Sequence, residues 1–182
     1  MKPVLFEIKI DESLSLVIPH LDSAPEIFSL IDKDRDHLKT WLPWVDSTIT
    51  AEDTRKNISD RIEGFNTHKQ ASFYGTLNEK FVASVGFISL TDGVGEIGYW
   101  LLSDYSGRGL MTTFVKASID YGFDKLNLNK IVIKCAEGNT KSAAIPRRLG
   151  FTEIEKSEVK RIRNDSEHNT LIFRLDRNDW RK

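Results

Sequence analysis

Apolar positions along this chain change period several times, and each change marks an element. Residues 14–18 form a short apolar run of strand length, closed by Pro19 and His20. Ala24, Ile27, Phe28 and Ile31 then recur at helical spacing. A charged patch from Asp32 to Asp36 leads into HLKTWLPW, where Trp41, Leu42 and Trp44 surround Pro43. Thr50 precedes Asp53 by three residues, an acidic variant of the capping box. The spacing predicts a polar, exposed helix over residues 51–68 with Ile58, Ile62 and Phe65 as its apolar stripe. Residues 72–77 and 81–90 read as strands joined across Asn78, Glu79 and Lys80. TDGVG then turns the chain into an apolar, aromatic run over residues 97–102, the central strand.

A helical pattern resumes at Leu110, with Phe114, Ala117 and Tyr121 on its face and Met111, Val115 and Ser118 beside them. Gly122 inside this helix costs about 1 kcal/mol relative to alanine, which points to close packing there. Residues 130–135 are a β-branched strand, and residues 139–149 a short helix with Gly150 as C-cap. Residues 152–161 and 168–175 pair as a last hairpin across RNDSE. No repeat or linker divides the chain, so residues 1–182 are expected to form one domain.

Composition narrows the functional classes. A chain of 182 residues with 40% apolar residues is long enough to bury well over half of its unfolded surface. A formal charge of −1 argues against a broad polyanion-binding surface, and so against nucleic acid as partner. One cysteine, Cys135, excludes internal disulfides and multi-cysteine metal sites, and its setting in KIVIKC places it in a buried strand. The start MKPVLFEIKIDES lacks the apolar core of a signal peptide, and no run approaches 18 apolar residues. The expectation is a cytoplasmic protein without a membrane partner or metal.

The stretch with chemical content is EIGYWLLSDYSGRGLM, residues 96–111. A strand feeds a loop in which Gly107 and Gly109 flank Arg108, and a helix opens at Leu110. Such a loop aims several free backbone N–H groups and the positive end of a helix dipole at one spot, which suits a phosphate. Glycines there permit positive φ and keep side chains out of the way, and Arg108 adds a cation. The pattern GxxxxGK[ST] is absent, and GxGxxG fails because Thr112 stands where its third glycine belongs. A purely structural strand-to-helix turn is the alternative.

Further along, NTKSAAIPRRLGF follows a strand and carries Asn139, Ser142, Gly150 and Phe151. Strand, glycine-loop helix, strand, asparagine-started helix and GF together resemble the Gcn5-related N-acetyltransferase (GNAT) family. IGYW, GRGLM, VIKC, NxxS and RRLGF, with the upstream EDTRKNI, look more closely like its RimJ/RimL group, which acetylates the N-termini of ribosomal proteins. The resemblance runs from about Leu14 to Leu175. It implies an α+β fold: a mixed, mostly antiparallel central sheet with a splayed parallel strand pair and flanking helices. It also implies that the glycine loop binds the pyrophosphate of acetyl-CoA as co-substrate. On that reading Leu101, Leu102, Gly107, Arg108, Gly109, Leu110, Met111, Asn139 and Ser142 are the cofactor-binding residues.

Two positions depart from the family pattern. Asp104 stands where the loop usually begins with Gln or Arg. Pro146 stands where many relatives place a tyrosine that protonates the leaving thiolate, and proline has no proton to give. Ser142 lies one helical turn earlier on the same face, about 5.4 Å along the axis, and can present a hydroxyl instead. The RimL-like resemblance implies the same role for it, and capping the helix start is its alternative. Pro146 also removes a helical hydrogen bond to the carbonyl of Ser142, leaving that oxygen free.

For the general base, Glu96 ranks first and His168 second, each with plain solvation as its alternative. Trp41, Trp44 and Tyr99 are candidate walls of an acceptor pocket, unless the tryptophans are simply core. Glu52 and Asp53 are candidates for attracting a cationic amine, with a solvated helix start as the alternative. The leading function is acetyl transfer, by direct attack in a ternary complex, to the N-terminal α-amine of a protein. A small-amine acetyltransferase acting on a polyamine, drug or metabolite and a non-catalytic CoA-binding sensor are the alternatives. A homodimer contact through the aromatic N-terminal region or the WRK tail is compatible with the sequence.

Overall fold

The computed structural model of the chain describes residues 4–163 and 166–180, with side chains described outside residues 155–168. Eight strands form one mixed sheet in the order β1-β2-β3-β4-β5-β6-β8-β7. They are β1 (Val4–Lys9), β2 (Leu14–Pro19), β3 (Ala71–Leu77), β4 (Lys80–Thr91), β5 (Val94–Leu101), β6 (Lys130–Ala136), β7 (Thr152–Arg163) and β8 (Ser166–Asp176). Every pairing is antiparallel except β5 with β6. The expected α+β fold, mostly antiparallel with one parallel pair and flanking helices, is what the chain adopts.

Five helices cover the sheet: α1 (Ala24–Lys33), α2 (Arg35–Leu38), α3 (Ala51–Asn66), α4 (Leu110–Asp124) and α5 (Thr140–Arg148). Because side chains alternate across a strand, the sheet feeds two cores. Phe73, Val85, Ile97 and Ile133 pack with Phe114 and Ile119 of α4 and Ala143 of α5. Val17, Tyr74 and Phe81 pack with Ile27 and Ile31 of α1 and Ile58 of α3. Both halves of the expected capping box hold α3: Asp53 N–H donates to Thr50 Oγ1, and Thr50 N–H donates to the Asp53 carboxylate at 2.8 Å. The close approach expected at Gly122 is real, since a Cβ there would stand 2.4 Å from Phe87 Cζ.

The sequence pattern leaves residues 4–9 unassigned, yet they form the edge strand β1. Val4, Phe6 and Ile8 turn inward, while Leu5 on the outer face interrupts the apolar–polar alternation that would mark a strand. The central strand also begins earlier than its apolar run, at Val94, because its first residues pair with both neighbours.

The feature that makes a site is where β5 and β6 part company. Their parallel pairing runs from Val94↔Lys130 to Ile97↔Ile133 and stops. Beyond it β5 continues with β4 as far as Ala83↔Leu101, and β6 continues with β8 as far as Ala136↔Thr170. The two strands therefore follow different partners away from each other, and one edge of β5 is open from Gly98 onward.

Candidate active site

Two cavities meet at this gap. One, of about 690 Å³, lies on the face of α1 and α3. The other, of about 930 Å³, lies between the start of α4 and α5. Trp41, Leu42, Tyr99, Trp100, Asn139 and Ser142 line both, so the gap is the passage between them.

The second cavity is built around the glycine loop. Gly107 and Gly109 both take left-handed backbone, with φ of +78° and +76°, which only glycine adopts without strain. Gly109 is the N-cap of α4; it has no side chain to cap the helix, and no acidic residue stands in the first turn. The first-turn amides of a helix have no acceptor within the helix, so those of Leu110, Met111 and Thr112 are left for a ligand. Gly107, Gly109, Leu110 and Met111 all line the cavity.

Arg108 behaves differently from expectation. Its Nη2 donates to the carbonyl of Asp104 at 3.0 Å and its guanidinium lies over the Tyr105 ring, so the side chain folds back on its own loop and is absent from the cavity wall. The cations beside the loop are instead Lys141 and Arg148 from α5, and Arg148 is fixed by donating to Thr112 Oγ1 at 2.8 Å. Asp104 is absent from the cavity wall and its carboxylate lies 3.7 Å from Lys33 Nζ.

At the open edge of β5 the two expected amides also separate. Leu102 N–H donates to Val82 O at 3.0 Å, so it points toward β4 and is used up. In an antiparallel ladder these directions alternate residue by residue, which turns the N–H groups of Leu101 and Tyr99 toward the gap. Leu102, buried in the core of the α1 and α3 face, is thus corrected from the cofactor set, and Leu101 remains. The loop that follows is anchored at the junction of α1 and α2: Asp34 accepts from Ser103 N–H at 2.7 Å and from Ser103 Oγ at 2.6 Å.

Across the gap, Asn139 caps α5 by accepting from Ser142 N–H at 3.0 Å. The carbonyl of Ser142, which Pro146 deprives of its helical donor, is not free: Tyr99 Oη donates to it at 2.9 Å. Ser142 Oγ donates in return to Tyr99 Oη at 3.2 Å. Tyr99, expected only as a pocket wall, is therefore a strut between β5 and the helix that follows β6. Burial pushes its pKa well above the ordinary tyrosine value, and the hydrogen bond from Ser142 opposes this only in part, so the phenol stays protonated.

In the first cavity Trp41 and Trp44 are wall residues, the Trp44 ring lying 6.2 Å from that of Trp100. The segment carrying them is pinned by Arg35, which donates to the carbonyls of Val45 and Thr48. Glu96 also lines this cavity, with its carboxylate bonded to Lys134 Nζ at 2.7 Å. Glu52 and Asp53 do not line it; they serve the first turn of α3 and Arg55. The backbone of His168 belongs to β8 and pairs with Arg161, but its side chain lies outside the described residues. Among the described residues no group of three or more His, Cys, Asp or Glu can hold a metal, and no helix is long and apolar enough to cross a membrane.

Comparison with known proteins agrees with this geometry. The model of the acetyltransferase (GNAT) domain matches residues 14–152. YdaF of Bacillus subtilis, for which ribosomal N-acetyltransferase activity has been proposed, is 26% identical over 179 residues, 97% of this chain and 98% of that protein. The ribosomal-protein-serine acetyltransferase of Escherichia coli is 27% identical over 146 residues, 79% of this chain and 82% of its own. Among solved structures, the ribosomal L7/L12 α-N-protein acetyltransferase RimL in complex with coenzyme A superposes with a TM-score of 0.90. Its sequence identity is 21%, and the match covers 94% of this chain and 98% of that one.

Proposed function

The chain belongs to the acetyltransferase (GNAT) family, and from that premise we propose that it transfers acetyl from acetyl-CoA to the N-terminal α-amine of a protein. The observation that carries the reading is the meeting of two cavities at the open edge of β5, one with uncapped helix amides for a diphosphate and one walled by tryptophans. The names of the two curated relatives support a ribosomal protein as the acceptor.

The reaction asks little of the protein beyond placement. The diphosphate of acetyl-CoA sits on the amides from Gly107 onward, and the pantetheine arm runs along β5 to the gap. There the Leu101 N–H stabilises the thioester oxygen as negative charge develops on it. The acceptor enters from the first cavity, and its nitrogen lone pair forms the new C–N bond to the carbonyl carbon. The C–S bond then breaks, the departing sulfur takes the proton of Ser142 Oγ, and a proton from the solvent in the open cavity restores the serine hydroxyl. With a pKa near 7.8, about a tenth of an α-amine is neutral at pH 7, whereas lysine near 10.4 is under about one part in a thousand neutral. An N-terminal acceptor therefore needs little help from a base. Glu96 is the carboxylate placed to receive the amine's excess proton, and its partner Lys134 holds it at the wall.

The test is release of the CoA thiol from acetyl-CoA with short N-terminal peptides, free amino acids and polyamines as acceptors. Turnover with peptides at least tenfold above that with polyamines is expected. Preference for a polyamine would replace this reading with a small-amine acetyltransferase, and tight CoA binding without turnover would replace it with a sensor.

A further inference from the structure

The first cavity contains an arginine, Arg61, that forms no ion pair among the described residues. α3 turns Thr54, Asn57 and Arg61, spaced i, i+3 and i+7, toward the cavity as one stripe. They face a row of cross-strand neighbours on the sheet, Tyr74, Ser84 and Trp100. Arg61 Nε donates to Asn57 Oδ1 at 2.8 Å, Nη1 donates to Ser84 Oγ at 2.8 Å, and the guanidinium lies 4.8 Å from the Tyr74 ring centroid. All three partners are neutral. They fix the plane of the guanidinium without matching its charge, and they leave some of its five N–H groups unused.

Glu96 and Lys134 are the other charged residues of the lining, and they are bonded to each other. Thr54 Oγ1 and Trp100 Nε1, in the same wall, are buried polar atoms without a hydrogen-bond partner. A buried polar group left unpaired is costly, so both atoms stand to gain from a polar ligand in this cavity. A pre-oriented arginine in a concave, partly apolar chamber suits a planar carboxylate, which it can grip through two parallel N–H groups.

We propose that Arg61 binds a carboxylate carried by the acceptor, so that the enzyme selects peptides with an acidic side chain at or next to the N-terminus. This rests on the acetyl-transfer reading and names its substrate class. Neighbouring strands are about 4.8 Å apart, and Arg61 stands over β3 and β4. The guanidinium therefore lies one to two strand spacings, about 5–10 Å, from the open edge of β5 where the amine reacts. A side-chain carboxylate of the first or second residue spans that interval. The α-carboxylate of a free amino acid is one bond nearer the amine and reaches less far into that interval. A polyamine would bring like charge to the guanidinium.

The experiment titrates the CoA-saturated protein with short peptides in which one aspartate, or asparagine in its place, is moved through the first three positions, with free serine and spermidine alongside. Binding of one of the aspartate peptides at least tenfold tighter than its asparagine twin is expected, and this difference should vanish in Arg61→Met, which keeps the aliphatic stem and should leave CoA affinity unchanged. Equal binding of acid and amide by the unaltered protein, strongest binding of free serine or spermidine, or an acid preference that survives in Arg61→Met overturns the proposal. The wild-type comparison stands by itself if the variant does not fold. Acetyl transfer is read on the same peptides. An acid preference in binding without any transfer leaves the carboxylate site standing and removes the acetyl-transfer reading instead.

Discussion

Replacing Gly109 with aspartate is expected to raise the Kd for coenzyme A about 100-fold while the protein stays folded. The backbone at Gly109 is left-handed, and aspartate is among the residues that tolerate that region best. A Cβ placed there meets nothing within 4 Å, so the substitution causes no clash within the protein. A carboxylate beside the start of α4 is even favourable for the helix dipole. The same carboxylate occupies the anion site and repels the diphosphate. A 100-fold loss corresponds to about 2.8 kcal/mol, a reasonable amount for replacing charge-assisted hydrogen bonds by repulsion. Gly109→Ala, with no charge, should lose less than about tenfold, since its left-handed strain of about 1–2 kcal/mol is present in the free and the bound protein alike. Calorimetric titration with CoA and a thermal melt decide the matter. An aspartate variant that binds CoA as tightly as the unaltered protein contradicts the proposed diphosphate site.

The second large effect is expected at Ser142. Its alanine variant should lose about 10²-fold in kcat with KM for acetyl-CoA nearly unchanged, as suits a group that acts on the leaving sulfur. Tyr99→Phe should lose about tenfold and also stability, because the Ser142 carbonyl then has no donor. A fully buried carbonyl left unsatisfied costs about 1–3 kcal/mol, an upper bound for this part-buried one. Tyr99 is a positioning residue here, since burial keeps its phenol protonated and disfavours passage of a proton through it. The two effects should not add: once Ser142 is alanine, removing the Tyr99 hydroxyl should barely change kcat further. Pro146→Ala restores a helix N–H facing the same carbonyl and should recover part of the stability lost in Tyr99→Phe. An unchanged kcat in Ser142→Ala removes the serine from the mechanism.

Much of this architecture is legible in the residues. Period changes mark the strands and helices, Thr50 and Asp53 mark the start of α3, and the glycines around Arg108 mark the loop at α4. What the residue pattern does not carry is direction. Whether the amide of Leu101 or of Leu102 faces the gap depends on the pairing register with β4, which a run of apolar residues leaves open. Arg108 reads as a cation for the phosphates because a loop sequence does not say where a long side chain goes, and here the Asp104 carbonyl and the Tyr105 ring claim it. Tyr99 reads as wall and Pro146 as a deficit. Only the meeting of β5 with α5 reveals that the phenol supplies the hydrogen bond that the proline removes. Arg61 reads as part of a solvated face, because the polar stripe of α3 looks the same whether water or a cavity lies against it.

The most direct test of the whole account is the structure of the protein in complex with acetyl-CoA. The diphosphate is expected on the backbone amides from Gly107 to Thr112, the thioester oxygen within hydrogen-bonding reach of the Leu101 N–H, and the sulfur beside Ser142 Oγ. Coenzyme bound away from the glycine loop, or bound there with its thioester outside the gap between β5 and β6, would contradict it.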